Sequence, residues 1–397
     1  MKKLLVLGAM QMHVPLLKRA KERGIYILTC DYYKHVEGHK YADEPHYDST
    51  TDLEAVLKLS RESQIDAIMT FNSDPAALTA AYVSEKLGLP GNSYKSVKIL
   101  SEKDLFRKFL KENGFNVPFF KSFDDKKSLL AEIQDFSFPV LIKPVDSSGS
   151  KGVTVVDRSE DIADAYDLAV EKSRCKRVVV EEYIEPLGPQ IHGDAFVADG
   201  KVVFSCLGDH HFDKSINNLV PYSTTFPSQH TEEEIHLINQ ELQEIIGKVG
   251  FKQGGINVEA RISKKDGKIY FIEVGARNGG NFTPIVIQHA TGFNFIDAAL
   301  DAAIGIKYSP QTIHPPKFFS YLVPHVKDSG VFQSIELSGK LQNHIIEQHI
   351  YKEKGETVES FKGANAAVGV LIAKYDSMEQ MQNLVDDFEN NYKVYIA

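Results

Sequence analysis

The stretch Ile256-Asn257-Val258-Glu259-Ala260-Arg261-Ile262, followed after Lys265-Asp266-Gly267 by Lys268-Ile269-Tyr270-Phe271-Ile272-Glu273-Val274, reads as the two strands of a tight hairpin. A three-residue loop at Lys265, Asp266 and Gly267, with Gly267 in the left-handed conformation, sets Glu259 directly across from Glu273 on one face. A two-residue Asp-Gly turn instead shifts the pairing by one and sends the two glutamates to opposite faces. Facing like charges repel. They are tolerated where a cation sits between them, and Mg2+ held by one or two carboxylates together with substrate phosphates is the common arrangement in phosphoryl-transfer sites. Two solvated strand residues are the plainer reading of the same hairpin.

Upstream, Phe138-Pro139-Val140-Leu141-Ile142 runs into Lys143-Pro144 and then into Asp146-Ser147-Ser148-Gly149-Ser150-Lys151-Gly152, before a second apolar stretch from Val153 to Val156. This is strand, small-residue loop, strand. Backbone N–H groups of such a loop can close over phosphate oxygens, and a lysine at the end of the preceding strand adds a point charge. The Walker spacing is absent. As a bare pattern, a Ser/Gly-rich hairpin turn most often binds nothing. A third segment, Arg177-Val178-Val179-Val180-Glu181-Glu182-Tyr183-Ile184-Glu185, ends a strand in acids and an aromatic residue. Acids so placed accept from ribose hydroxyls or an exocyclic amine, and the backbone beyond them can pair with an adenine edge.

Taken in order, these segments resemble the ATP-grasp superfamily along most of the chain. The resemblance implies that Lys103, in Ser101-Glu102-Lys103-Asp104, and Lys143 contact the phosphates, and that Ser147, Ser148, Gly149 and Ser150 belong to a flap over the triphosphate. It implies an adenine-holding hinge at Glu181, Glu182, Tyr183 and Ile184, with Gln190 at the ribose position. Glu259 and Glu273 fall where the family keeps its Mg2+ ligands, with Mn2+ as an alternative ion. Arg277 falls where an arginine steadies the transferred phosphate or acyl phosphate, and Lys143 and Arg277 are the catalytic pair. Asn278, Gly279 and Gly280, which follow it, would cradle a substrate carboxylate or amine.

Two positions depart from the family pattern. Gln190 stands where a glutamate is usual, and Gly275 stands where an asparagine is frequent, so that Asn257, Asn278 or water would have to complete the metal shell. The implied chemistry is activation of a small-molecule carboxylate by ATP to an acyl phosphate, its capture by an amine, and release of ADP and phosphate. The run Glu273-Val274-Gly275-Ala276-Arg277-Asn278-Gly279-Gly280 looks closest to the L-amino acid ligase and carbamoyl phosphate synthetase-like branch. Phosphoribosylamine and carboxylating ligases of purine synthesis are relatives. A nucleotide-binding protein that has lost catalysis is the other class to keep, favoured by Gln190 and Gly275 and opposed by Lys143, Glu259, Glu273 and Arg277 together.

The composition fits an enzyme of small molecules. A chain of 397 residues is long enough for about three domains of ordinary size. The net charge of -9 and the lack of a long basic run argue against nucleic acid as the main partner. Cys30, Cys175 and Cys206 have neither metal-ligand nor redox spacing, so reduced thiols and a cytoplasmic location are expected. No stretch approaches the ~20 apolar residues of a membrane span, and Leu4 to Leu7 after Met1-Lys2-Lys3 is too short for a signal peptide. Membrane association is therefore not expected, and a homodimer is compatible with the resemblance.

The first hundred residues alternate strand and helix, with strands at Leu4 to Ala9, Tyr26 to Cys30 and Ala67 to Phe71, which implies a small parallel sheet. His13, Asn72 and Asp74 follow its strands and are candidate substrate contacts, although each also suits a helix cap or turn. The expected division of this α/β chain is an N-terminal parallel-sheet domain at 1–100, a small lobe with the flap at 101–182, a central lobe with the metal site at 183–310, and a C-terminal lobe at 311–397. A helix from Ser101 to Asn113, with Ser101 as N-cap, puts Lys103 in a first turn where the helix dipole disfavours a cation. In Asp209-His210-His211-Phe212 adjacent side chains point to opposite faces of a strand, so both histidines cannot bind one ion, and His210 is a candidate contact to the acceptor substrate.

Overall fold

In strand Lys3–Leu7, Leu4 and Val6 enter one apolar cluster with Leu16, Leu17 and Ile27, while Leu5 and Leu7 enter another with Leu28, Val56 and Ile68. Side chains alternate across a strand, so both faces of this sheet are covered by helices. The computed structural model, which describes residues 1–397, places the strands in the order Glu44–His46, Tyr26–Cys30, Lys3–Leu7, Ala67–Met69, all parallel. The parallel N-terminal sheet read from the alternation is therefore present. Glu44–His46 was not legible, because Pro45 and two charged or polar neighbours mark an edge rather than a strand.

A second sheet of four antiparallel strands runs in the order Phe120–Phe123, Val178–Glu182, Val140–Pro144, Thr154–Val156, and helix Ile162–Lys172 packs on it. The third sheet has eight strands, in the order Ile269–Gly275, Gly254–Ile262, Gln190–Ala198, Lys201–Phe212, Pro221–Phe226, Phe319–Leu322, Gly369–Lys374, Ile345–Ile350. The last three come from the segment 311–397, expected as a C-terminal lobe. They continue the central sheet by pairing Phe319–Leu322 onto Pro221–Phe226. Helix Glu232–Val249 covers one face of it through Ile238, Leu242, Ile245 and Ile246. That helix starts in a capping box made by Thr231 and Glu234 and stops at left-handed Gly250. Helices Thr283–Thr291 and Phe295–Ala303 cover the other face, where Phe204 stacks on Phe293.

Two sequence readings change in detail. Ser101 does not cap the helix that holds Lys103. It ends helix Tyr94–Ser101, which is capped by Ser93, and a new helix, Lys103–Glu112, starts with Glu102 at its N-cap. The hairpin loop has four residues, not three: Ser263 N–H donates to the Lys268 carbonyl at 2.8 Å, and Gly267, at φ 67°, donates back to Ser263. The strands then pair Ile262 with Ile269 and Ala260 with Phe271, a register that by itself would set Glu259 opposite Ile272. One extra residue in the second strand, a β-bulge at Ile272, restores the pairing of Glu259 with Glu273. No helix is long and apolar enough to cross a membrane.

Close approach of backbones makes Gly208 irreplaceable, since a Cβ there would lie 2.1 Å from the Thr225 carbonyl of the next strand. Gly208→Ala is expected to lower the unfolding free energy by about 2–3 kcal/mol in urea denaturation. Gly247→Ala, on an open helical surface with nothing within 4 Å, is expected to raise it by up to ~1 kcal/mol.

Candidate active site

Glu259 and Glu273 form the floor of a cavity of about 320 Å³ whose wall also includes Lys103, Lys143, Ser147 to Ser150, Asn72, Asp74, His210, Arg277 and Gly280. Strand ends and loops from three of the four sheets meet here. Gln190 Nε2 donates to Glu259 Oε2 at 3.0 Å. Lys103 Nζ lies 3.8 Å and Arg277 Nη2 3.5 Å from the carboxylate of Glu273. Burial pushes the Glu273 carboxyl up, and the nearby carboxylates of Asp74 and Glu259 add to this against the pull of Lys103 and Arg277. Two acids crowded together in this way form a site that attracts a cation.

Lys143 Nζ donates to Glu181 Oε2 at 2.8 Å, and Arg107 Nε lies 2.9 Å from the other oxygen. All three side chains are buried. Burial brings the Lys143 amine down to about 8, with Glu181 pulling the other way. For Glu181 burial acts upward, but Arg107 and Lys143 outweigh it and hold the carboxyl at about 2. Arg107 also donates to the carbonyls of Phe271 and Ile272, both at 3.0 Å, and so grips the backbone of the bulge beside Glu273. Nothing in the sequence singled out Arg107. Its one available signal was spacing, since it lies four residues after Lys103 and so on the same face of the helix.

The flap carries three left-handed residues, Gly149, Ser150 and Gly152. Ser150 Oγ donates to the Leu219 carbonyl at 2.7 Å, and Lys103 Nζ donates to the Ser147 carbonyl at 2.6 Å, so the loop lies down on the cavity. Beside it a second cleft, of about 1250 Å³, is lined by Glu182, Tyr183, Ile184 and Gln190. Arg261 stands between the two spaces. It donates to Gln190 Oε1 at 2.7 Å and to the Ile184 carbonyl at 2.8 Å, and it lies 4.9 Å over the Tyr183 ring. Alternation from Glu259 was the sequence signal for Arg261, which the reading passed over.

Several candidates sit elsewhere than the sequence suggested. His13 is buried with its ring against Gly8 and does not line the cavity; its neighbour Met12 does. Glu181 faces Lys143 and Arg107 rather than the cleft, so a direct contact of its side chain with a nucleotide is excluded in this arrangement. The Glu182 carboxylate accepts from Ser137 N–H at 3.0 Å. Asp74 binds Arg277 through two bonds of 2.7 and 2.6 Å and so orients that guanidinium. Asn278 and Gly279 turn inward to buried Asp194, which accepts from Asn278 Nδ2, Gly279 N–H and Asn257 Nδ2 at 2.9–3.1 Å. Burial pushes Asp194 up to about 6 in spite of these donors. The side-chain amides of Asn257 and Asn278 therefore hold a loop. His192, also missed, accepts from Asn257 through Nε2 at 2.9 Å and leaves Nδ1 without a partner.

Residues 136–285, which hold the flap, the hinge, both glutamates and Arg277, match the family model for the ATP-grasp domain. The chain is 26% identical over 313 residues to the carbamoyl phosphate synthase large chain of Caldanaerobacter subterraneus subsp. tengcongensis, covering 72% of this chain and 28% of that protein. It thus spans less than a third of that relative's length. Over 403 residues it is 23% identical to the formate-dependent phosphoribosylglycinamide formyltransferase of Methanocaldococcus jannaschii, covering 97% and 95%. The crystal structure of an L-amino acid ligase from Bacillus licheniformis superposes with a TM-score of 0.85 at 21% identity, covering 100% of this chain and 99% of that one, a likeness of fold.

The ion network has a pH signature. Glu181 is held at about 2 in the folded chain against an ordinary 4.5, so its stabilising contribution is complete above pH 4.5 and is lost as the pH falls toward 2. Unfolding free energies of the wild type and Glu181→Gln, from urea denaturation, should differ by about 3 kcal/mol at neutral pH and converge across that window. A difference independent of pH would mean that Glu181 is not ionised in the fold.

Proposed function

We propose that this chain, whose residues 136–285 match the model for the ATP-grasp domain, is an ADP-forming ligase that activates a small-molecule carboxylate as an acyl phosphate and joins it to an amine. The observation that carries this reading is the facing of Glu259 and Glu273 on the floor of a cavity that also receives Lys103, Lys143, the flap and Arg277. The two carboxylates fit a hard divalent cation, since they are oxygen donors and the Glu273 carboxyl is pushed up by burial and neighbouring acids. Mg2+, with Mn2+ as a substitute, would be held by Glu259 and Glu273 and would neutralise charge on the triphosphate.

The chain's own residues do the rest. Lys103 and Lys143 approach the phosphates as point charges, and Lys143 is kept in place by Glu181. The flap from Ser147 to Ser150 supplies backbone N–H groups and shuts out water, which would otherwise hydrolyse the acyl phosphate. A carboxylate oxygen of the acid attacks the γ phosphorus and ADP leaves; the amine nitrogen then attacks the acyl carbon and phosphate leaves. Arg277, oriented by Asp74, faces the transferred group. Tyr183 and Ile184, at the edge of the second cleft, hold the base, and Gln190 lies toward the ribose. Met12, Phe212, Val220 and Phe361 give the far wall an apolar surface that suits an acid with an apolar body. The near full-length match to a formate-dependent enzyme keeps formate among the acids to test.

ADP release from Mg-ATP should be measured over a matrix of carboxylic acids and amines, amino acids included. ADP is expected only with a particular acid, with phosphate released on capture by the amine, and Glu273→Gln should slow it by roughly 10²–10³. ADP formation independent of any acid, or no binding of Mg-ATP in calorimetry, would sink the proposal.

A further inference from the structure

We propose that His210 is a nitrogen ligand of the cation held by Glu259 and Glu273, and that it tilts this site from Mg2+ toward Mn2+ and similar transition-metal ions. The inference rests on the ligase reading of the same site. His210, 6% exposed on strand Lys201–Phe212, lines the cavity, and its tautomer is fixed by what surrounds it. Nδ1 lies 2.7 Å from Thr224 Oγ1, and the Thr224 hydroxyl donates its proton to the Tyr321 hydroxyl at 2.7 Å. Thr224 has one proton, so it must accept from His210, and Nδ1 carries the ring hydrogen. Nε2 is left with a free lone pair. A ring N–H engaged from behind while the other nitrogen stays bare is the arrangement that orients a ligating histidine.

That lone pair has a target. His210 Nε2 is 4.0 Å from Glu259 Oε1. This is too long for a hydrogen bond, and it is just under the ~4.2 Å that two ligand bonds of about 2.1 Å span when they lie nearly opposite each other across the ion. The ring cannot swing away, because it stacks on His192 at 4.1 Å with planes 15° apart. His210 is therefore the donor placed to complete the carboxylate pair. The acids and the histidine do not surround one point as they stand, so ligation of one ion by all three requires a shift, and Glu259 has the most exposed side chain of the three. An all-oxygen shell suits Mg2+, whereas an imidazole nitrogen favours first-row transition metals.

The test is pulsed EPR of the full chain loaded with Mn2+ and β,γ-methylene ATP, an analogue that brings no bridging nitrogen. The wild type should show the nitrogen-14 coupling of a directly bound imidazole. In His210→Gln the coupling should vanish, and the ratio of Mn2+ to Mg2+ affinity should fall roughly tenfold. Mn2+ bound without nitrogen coupling in the wild type, or a coupling unchanged in His210→Gln, overturns the role of His210 and leaves the ligase reading intact. Failure to bind Mn2+ at all with the analogue overturns both. The wild-type spectrum decides the matter even if the variant fails to fold.

Discussion

Arg107 ties two sheets together beside the site: it binds Glu181 of the four-stranded antiparallel sheet and the Phe271 and Ile272 carbonyls of the eight-stranded one. The bulge at Ile272 turns those carbonyls out of the ladder, and Arg107 gives them a partner. Without the bulge, Glu273 would not face Glu259. Without Glu181, a buried arginine and a buried lysine would be left uncompensated, a cost of several kcal/mol. The lysine that approaches the phosphates and the register of the two carboxylates thus depend on one guanidinium. The buried triad is expensive to desolvate, so its value lies in geometry more than in net stability.

A second buried group plays a similar part at the opposite end of the cavity. Asp194 gathers Asn257, Asn278 and the Gly279 N–H, and the loop so held carries Arg277 on one side and left-handed Asn281 and Phe282 on the other. A left-handed bulky residue such as Phe282 is uncommon and persists only where its surroundings over-determine it. Here Phe282 is buried and stacks on His349, so packing from the C-terminal strands holds the strained turn. Arg277 is clamped from the N-terminal domain by Asp74. One side chain of the cavity therefore reports on three segments far apart in sequence.

The C-terminal segment matters for the same reason. By adding strands to the central sheet it brings Tyr321, Val323 and Phe361 to the cavity wall and sets Ala364 beside Gly149 of the flap. Ser150 reaches Leu219 on the loop between Lys201–Phe212 and Pro221–Phe226. The flap rests on both parts, and closing over the cavity is a contact with the C-terminal strands as well as with a ligand.

Local pattern carried much of this in the sequence. Alternation of apolar residues, small-residue loops and turn formers marked the parallel sheet, the flap, the hinge strand and the hairpin, because each depends on backbone preferences within a few residues. The order of those motifs pointed to the family whose domain model matches residues 136–285. Sequence alone left open whether Glu259 and Glu273 share a face; the four-residue loop and the compensating bulge decided that together. Only the tertiary structure could assign Asp74 to Arg277, Glu181 to Lys143 and Arg107, and Asn278 to Asp194, and remove His13 from the cavity. Those are side-chain bonds and burial between distant segments, and their partners are chosen by where the sheets lie against one another, which no spacing along the chain records.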